Sequence, residues 1–141
     1  MNQEQLSVIC NSFEQARSMN PDLGSRFYVQ LSSDYPETMK IFTSVSMNAQ
    51  HTRFVSMLGI ILNRMKEDLP FIPLLEELGE AHRTYHVGEE EFEKFGITLI
   101  KVLRAALGRE FDESMRDAWF AVYNEITSVM KSAINNSQPQ I

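Results

Sequence analysis

Apolar residues recur along most of this chain at spacings of three and four, the period of an α-helix with one buried face. The stretch from 112 to 133 shows the pattern most clearly. Its apolar positions are Met115, Ala118, Trp119, Val122, Tyr123, Ile126, Val129, Met130 and Ala133. No segment alternates apolar and polar residues in the manner of a half-buried strand. The pattern therefore predicts an all-α fold.

Prolines and glycines divide this pattern into separate helices. Asn20 is predicted to cap a helix whose first residue is Pro21, and Pro70 also suits a first helical turn. Gly88 and Gly108 are predicted to end the helices before them. The predicted helices span 5–19, 21–31, 36–42, 47–66, about 70–87, 89–107 and 113–133, with a loop at 43–46. We therefore expect about seven helices in a single domain, 1–141, with a tail that frays from about residue 134.

The composition is that of an ordinary globular protein with one core. The chain has 141 residues, of which 43% are hydrophobic. The opening residues, MNQEQLSVIC, lack the basic region and apolar run of a secretory signal. The most apolar stretch, 54–62, is too short to span a bilayer. Cys10 is the single cysteine, so the chain cannot form an intramolecular disulfide. Its cysteine content therefore gives no indication of an oxidising compartment. We expect a cytoplasmic protein with no membrane partner.

Charge and motif searches exclude several function classes. The formal net charge is −6, and the 13 basic residues are scattered, so we expect no nucleic-acid partner. The chain has no glycine-rich phosphate loop, no Cys-x-x-Cys and no His-Glu-x-x-His motif. One cysteine and three histidines do not suggest a zinc site. No catalytic acid, base or nucleophile is predicted.

A histidine stands in the apolar stripe of the fifth predicted helix. Residues 77–87 read ELGEAHRTYHV, and Leu75, Leu78, His82 and Tyr85 share one helical face. His82 is either a core residue whose ring nitrogens are satisfied by neighbours or a ligand to a buried group. This stretch alone favours the first interpretation, because a buried neutral histidine needs only hydrogen-bond partners.

Segments on other predicted helices change that interpretation. The chain contains, in order, RFYVQL (26–31), YPETMKIF (35–42), AQHTRFVSMLG (49–59), ELGEAHRTYHV (77–87) and DAWFAVY (117–123). This ordered set resembles the globins, and most closely the bacterial single-domain globins related to the haem domain of flavohaemoglobins. The resemblance extends from about residue 5 to residue 130. It implies a globin fold around a pocket for haem b.

The resemblance also implies a role for individual residues. His82 matches the proximal histidine that binds the haem iron, and Phe42 matches the phenylalanine that packs on the porphyrin face. Gln50 matches the distal residue facing the bound gas, and Tyr28 matches the tyrosine donor above it. The other implied pocket residues are Arg53, placed to reach a haem propionate, Phe54 one turn after Gln50, and Val87, Phe92, Phe95 and Tyr123 on the proximal side and rear.

Residue chemistry supports these roles independently. Gln50, Arg53 and Phe54 share one helical face, which offers an amide, a cation and an aromatic ring. Tyrosine and glutamine both donate hydrogen bonds, which suits the partly negative oxygen of a haem-bound gas. The second ring nitrogen of His82 needs an acceptor, and the carbonyl of Leu78 is the nearest candidate within the helix.

Alternative interpretations remain open for several of these positions. The phenylalanines would be core residues in any helical domain. Gln50 could instead be exposed. His51 is expected at the surface, about 100° around the helix from Gln50, but a shift of one residue in the loop would make His51 the distal residue. His86 is expected to be a solvated helix-end residue near a propionate.

The chain differs from flavohaemoglobins in two respects. Those proteins add a flavin reductase domain, which we do not expect in 141 residues. They also place a tyrosine and a glutamate around the proximal histidine, where Phe92 and Ile134 stand in this sequence. The absence of that carboxylate argues against an imidazolate ligand and against oxygen activation.

We therefore expect a globin that reversibly binds dioxygen at a pentacoordinate iron, with nitric oxide and carbon monoxide as further gas ligands. The first alternative is a nitric oxide dioxygenase that works with a separate reductase. The second is a haem-free sensor or interaction module of globin shape, which would be expected to lose His82.

Overall fold

A computed structural model of the chain describes residues 2–42, 47–84 and 87–137. The α-helices are α1 (Gln3–Met19), α2 (Leu23–Asp34), α3 (Met47–Lys66), α4 (Ile72–Thr84), α5 (Glu89–Leu107) and α6 (Glu113–Ser137). Two 3₁₀ helices lie at Pro36–Phe42 and Gly108–Glu110. The described ranges contain no strand, so the predicted all-α fold is confirmed. None of their helices is both long enough and apolar enough to cross a membrane.

The start of α2 differs from the prediction because Asn20 caps the other helix. Its side-chain amide donates to the carbonyl of Ala16 at 3.1 Å, at the C-terminal end of α1. The backbone N–H of Leu23 donates to the carbonyl of Asn20 at 3.0 Å, which closes a turn through Pro21. The helix therefore begins at Leu23 rather than at Pro21.

The end of α6 lies beyond the predicted end at 133. The helix continues to Ser137, and Ile134 is only 8% exposed. Burial of this side chain holds an extra turn that a helical pattern ending at Ala133 does not predict. The predicted loop at 43–46, Tyr85, His86 and the chain end at 138–141 lie outside the described residues.

All six α-helices contribute buried residues to the core, and one of its polar anchors joins α6 to α1. Trp119 of α6 is almost fully buried, and its ring lies 6.1 Å from that of Phe13. Its indole N–H donates to the hydroxyl of Ser12 at 3.0 Å, and Ser12 donates in turn to the carbonyl of Ile9. Burying a large apolar side chain contributes about 1.5–3 kcal/mol, and these hydrogen bonds remove the cost of burying polar atoms.

Two glycines allow α4 to cross closely over α6 and α2 to cross closely over α3. A Cβ atom at Gly79 of α4 would lie 2.6 Å from the carbonyl oxygen of Met130 in α6. A Cβ atom at Gly24 of α2 would collide with the carbonyl of His51 in α3. No larger residue fits at either position without moving a backbone, so these contacts set the spacing of the two helix pairs.

Lys94 of α5 connects the first 3₁₀ helix to the rest of the fold. Its ammonium lies 2.9 Å from Glu37 of that helix and 3.0 Å from Glu90, and it sits over the ring of Tyr35. The hydrogen bond from Lys94 lowers the pKa of the Glu37 carboxyl below its usual value. The segment Pro36–Phe42 is thereby held against α5.

Candidate functional site

A cavity of about 280 Å³ lies among α2, α3, α4, α5 and α6. All of the predicted site residues except Phe42 line it, and the side chain of Phe42 lies outside the described residues. The lining members of that set are Tyr28, Gln50, Arg53, Phe54, Leu78, His82, Val87, Phe92, Phe95 and Tyr123. Residues from five helices and the turn before α5 therefore converge on one space, which is mostly apolar with a few polar groups.

His82 is held in one ring orientation by its own helix. Its Nδ1 lies 2.6 Å from the carbonyl oxygen of Leu78. A carbonyl only accepts, so Nδ1 carries the proton and the lone pair is on Nε2. Burial lowers the pKa of His82, while the bond to Leu78 opposes that effect, so the ring is neutral near pH 7. A neutral imidazole with a lone pair on the opposite nitrogen has the protonation state that metal ligation requires.

The ligands that the described residues offer suit a metal whose other ligands come from a cofactor rather than from the protein. Within the described part of the chain, no group of three or more His, Cys, Asp or Glu side chains could hold a metal ion. A bare transition metal normally needs three or four protein ligands. A single imidazole beside a largely apolar cavity instead suits haem, whose porphyrin supplies the other four nitrogen ligands and an apolar body.

The proximal wall is built from α5 and α6. The ring of Phe92 lies 5.7 Å from that of His82, tilted by 32°. The hydroxyl of Tyr123 donates to the carbonyl of Phe92 at 2.5 Å, and its ring occupies the space that a Cβ atom at Gly96 would fill. Gly79, one turn before His82, fixes the spacing between α4 and α6. These contacts hold His82 against a rigid wall.

Proximal carboxylates are absent from this wall as far as it is described. No Asp or Glu occurs among the described residues that line the cavity. Phe92 stands beside His82, as predicted, whereas Ile134 is buried without lining the cavity. The acceptor for His82 is a neutral carbonyl, which keeps its imidazole from gaining imidazolate character.

The wall that α2 and α3 contribute contains a hydrogen-bonded pair. The side-chain amide of Gln50 donates to the hydroxyl oxygen of Tyr28 at 3.1 Å. Tyr28 is 5% exposed, and burial raises its pKa to about 12 even though the bond from Gln50 lowers it. The phenol therefore keeps its proton at neutral pH. Gly24, one turn before Tyr28, permits the close crossing of α2 and α3 that brings the two side chains together.

Arg53 lies at the open edge of the cavity. The residue is exposed and stands one turn after Gln50 on α3. A guanidinium at the rim of an apolar cavity suits an anionic group that remains in contact with water.

The register of α3 places Gln50 on the cavity face. His51 does not line the cavity, and it is half-buried rather than at the open surface. Its ring stacks on that of Tyr28, with centroids 5.1 Å apart and planes inclined by 28°. The alternative in which His51 takes the distal position does not match this geometry.

Sequence reasoning missed a deeper set of lining residues. These are Phe27, Ile41, Met57, Leu58, Ile61, Ala81, Leu99, Ile126, Thr127 and Met130. Helical spacing could have found most of them, because Met57, Leu58 and Ile61 follow Gln50 by seven, eight and eleven residues. Ile126, Thr127 and Met130 follow Tyr123 in the same manner. Phe27 carries no such signal, since it adjoins Tyr28 in sequence.

Comparison with known proteins identifies the family. The family model for globins matches residues 25–130. A flavohemoprotein of Vibrio cholerae serotype O1 is 22% identical over 125 residues, which cover 87% of this chain and 32% of that protein. A neuroglobin of Dissostichus mawsoni is 25% identical over 80 residues, 54% of this chain and 50% of that protein. The chain thus spans about a third and a half of these relatives' lengths. The chain belongs to the globin family, whose members generally bind haem and small gases.

Proposed function

We propose that this globin binds haem b through His82 and reversibly binds dioxygen between the haem and the Tyr28–Gln50 pair. The observation that carries the proposal is the tautomer of the His82 ring. Its Nδ1 is committed to Leu78, so Nε2 is the nitrogen that offers a lone pair beside the cavity. A donor pair lies on the wall that α2 and α3 contribute to the same cavity.

Different lining residues would contact different parts of the cofactor. Phe92, Phe95 and Leu78 offer apolar contacts to the porphyrin, and Arg53 at the rim pairs with a propionate. By the family resemblance, Phe42 packs on the porphyrin face. When bound, the haem iron supplies the coordination position for a diatomic gas.

The distal pair would stabilise a ligand that carries partial negative charge. The amide N–H of Gln50 donates to the oxygen of Tyr28, and a phenol hydroxyl can accept one hydrogen bond while it donates another. A hydrogen bond received by a hydroxyl strengthens the one that it gives. Tyr28 is therefore the direct donor in this arrangement, and Gln50 supports it.

Reversible binding is favoured over oxygen activation by the proximal side. His82 donates to a backbone carbonyl, and the described lining residues include no carboxylate. Electron-rich anionic ligands promote O–O cleavage, and a neutral imidazole does so much less.

A second candidate function is nitric oxide dioxygenation with electrons from a separate reductase. The likeness to a flavohemoprotein over 87% of this chain favours it. A haem-free sensor role is disfavoured because His82 keeps the tautomer of an iron ligand.

Spectroscopy of the purified protein, after haem is offered, separates these functions. We expect a Soret band in the ferrous protein that shifts in air and returns fully when oxygen is removed. If no Soret band appears after haem is offered, the haem-free sensor or interaction role would be supported instead. Rapid nitrate formation from nitric oxide, sustained only when an added reductase is present, would select the dioxygenase.

A further inference from the structure

We infer that His51 is a positioning residue that holds the Tyr28 phenol at the angle from which it donates to the gas. The inference rests on the proposed function and extends it to a side chain outside the cavity. The two rings stack at 5.1 Å with an angle of 28°. His51 lines a separate, more polar cleft of about 240 Å³ with Arg17, Ser25 and Thr52. Its ring therefore stands between that cleft and the wall of the gas site.

The ring of Tyr28 also has two phenylalanine neighbours whose planes are nearly perpendicular to its own. Phe27 meets it at 5.0 Å with planes at 87°, and Phe54 meets it at 6.0 Å with planes at 76°. Phe27 and Phe54 stack on each other at 4.3 Å. The contacts of both phenylalanines with Tyr28 are T-shaped, whereas His51 is stacked on the phenol with the two planes inclined by 28°.

Two neighbouring residues of α3 contact the same phenol, one at its hydroxyl and one at its ring. Gln50 donates to the hydroxyl oxygen, and His51 covers the ring. The backbone carbonyl of His51 also lies against Gly24, one turn before Tyr28 on α2. The ring stack thus lies beside a point where a glycine lets the two helices approach closely.

Loss of the stack would free the phenol to tilt about its side-chain torsions without removing its hydroxyl. A hydrogen bond weakens steeply once its angle departs from linear, so a tilted donor retains dioxygen less well. A stacked aromatic pair of this kind corresponds to a roughly three- to tenfold change in an equilibrium. Since complete loss of the Tyr28 donor corresponds to roughly tenfold, we expect His51→Ala to raise the dioxygen dissociation rate by a smaller factor, about two- to fivefold.

The test compares His51→Ala with His51→Phe in the haem-loaded protein, each in the native and the Tyr28→Phe background. The alanine variant should speed dioxygen release, and the phenylalanine variant, which keeps a ring, should restore most of the native rate. In the Tyr28→Phe background both substitutions should have little effect. Carbon monoxide release should change less throughout, since that ligand carries less charge.

A second readout does not involve gas. Burial raises the pKa of Tyr28 to about 12. Removing the His51 ring exposes one face of the phenol, so its pKa should fall towards the ordinary tyrosine value in His51→Ala and recover in His51→Phe. Selective ¹³C labelling at the tyrosine ζ carbons lets the titration of Tyr28 be followed by NMR.

Several results would overturn the positioning role. One is an unchanged dioxygen release rate in His51→Ala, and another is an equal effect of this variant in the Tyr28→Phe background. Faster association of both gases with unchanged dissociation would make His51 a steric gate instead. Failure to bind haem would defeat the proposed function alone, because the Tyr28 titration would still report whether His51 holds the ring.

Discussion

Tyr28→Phe and Gln50→Leu, made singly and together, perturb one hydrogen-bonded pair on the distal wall. The phenylalanine removes the direct donor to the gas. A net hydrogen bond is worth about 1–1.5 kcal/mol, so dioxygen should dissociate roughly tenfold faster. The leucine leaves the phenol in place but removes the amide that donates to it at 3.1 Å.

The effect of Gln50→Leu depends on how much the bond from Gln50 strengthens the bond that Tyr28 gives. Cooperative strengthening of a hydrogen bond by its neighbour is about 10–30%, which for a net bond of about 1–1.5 kcal/mol is roughly 0.1–0.5 kcal/mol. Gln50→Leu should therefore speed release by up to about twofold. Because Gln50 acts through Tyr28, the double variant should release dioxygen little faster than Tyr28→Phe alone, which is a coupling of roughly 0.1–0.5 kcal/mol.

Stopped-flow displacement of dioxygen by carbon monoxide gives these rates, and carbon monoxide dissociation serves as the control. Independent donors would instead make the single effects multiply in the double variant, and that result would refute the relay. Equal acceleration of both gases would point to steric gating in place of hydrogen bonding.

Other contacts of the pocket lead to further expectations. Gly79→Ala should lower the melting temperature by roughly 3–10 °C, because its Cβ atom would press on Met130 and overpacking costs about 1–3 kcal/mol. Thermal unfolding measures this, and Gly59→Ala is the matched control, because Gly59 also lies inside a helix and its Cβ atom would meet side-chain atoms of Arg17 and Phe13 rather than backbone. Tyr123→Phe should lower the free energy of unfolding in urea by about 1 kcal/mol, since it removes the bond to the Phe92 carbonyl. Resonance Raman spectra of the ferrous, gas-free protein should give an iron–histidine stretching frequency in the range of carrier globins, because His82 donates only to a carbonyl.

Contrary results have specific meanings. Equal melting temperatures for Gly79→Ala and Gly59→Ala would mean that α4 and α6 are farther apart than the contact between Gly79 and Met130 requires. An unchanged urea midpoint in Tyr123→Phe would show that its hydroxyl contributes nothing net. An iron–histidine frequency as high as that of a peroxidase would contradict the neutral imidazole and shift the proposal towards oxygen activation.

Most helix positions could be predicted from periodicity and from residues that begin or end helices. The long helix α3 has the predicted bounds, and α5 lies between Gly88 and Gly108 as predicted. The start of α2 could not be predicted, because Asn20 can cap either neighbouring helix and the choice depends on the turn between them. The end of α6 depends on burial of Ile134, which is a tertiary contact.

Prediction of the site had a similar limit. The family resemblance identified part of the cavity lining, and helical geometry identified Leu78 as the acceptor for His82. The bond between Gln50 and Tyr28 depends on the crossing of two helices, which the period of a single helix does not encode. The expectation that both side chains donate to the gas independently is therefore replaced by the proposal of a relay through Tyr28.

Haem retention by His82→Ala, with and without added imidazole, tests the central claim most directly. The variant should lose haem readily to an apo-globin acceptor, because only the apolar contacts and Arg53 would hold the cofactor. Free imidazole should restore retention and the native Soret spectrum by occupying the space that the truncated side chain leaves beside Leu78. Native-like haem retention and an unchanged spectrum in the variant without imidazole would contradict His82 as the iron ligand.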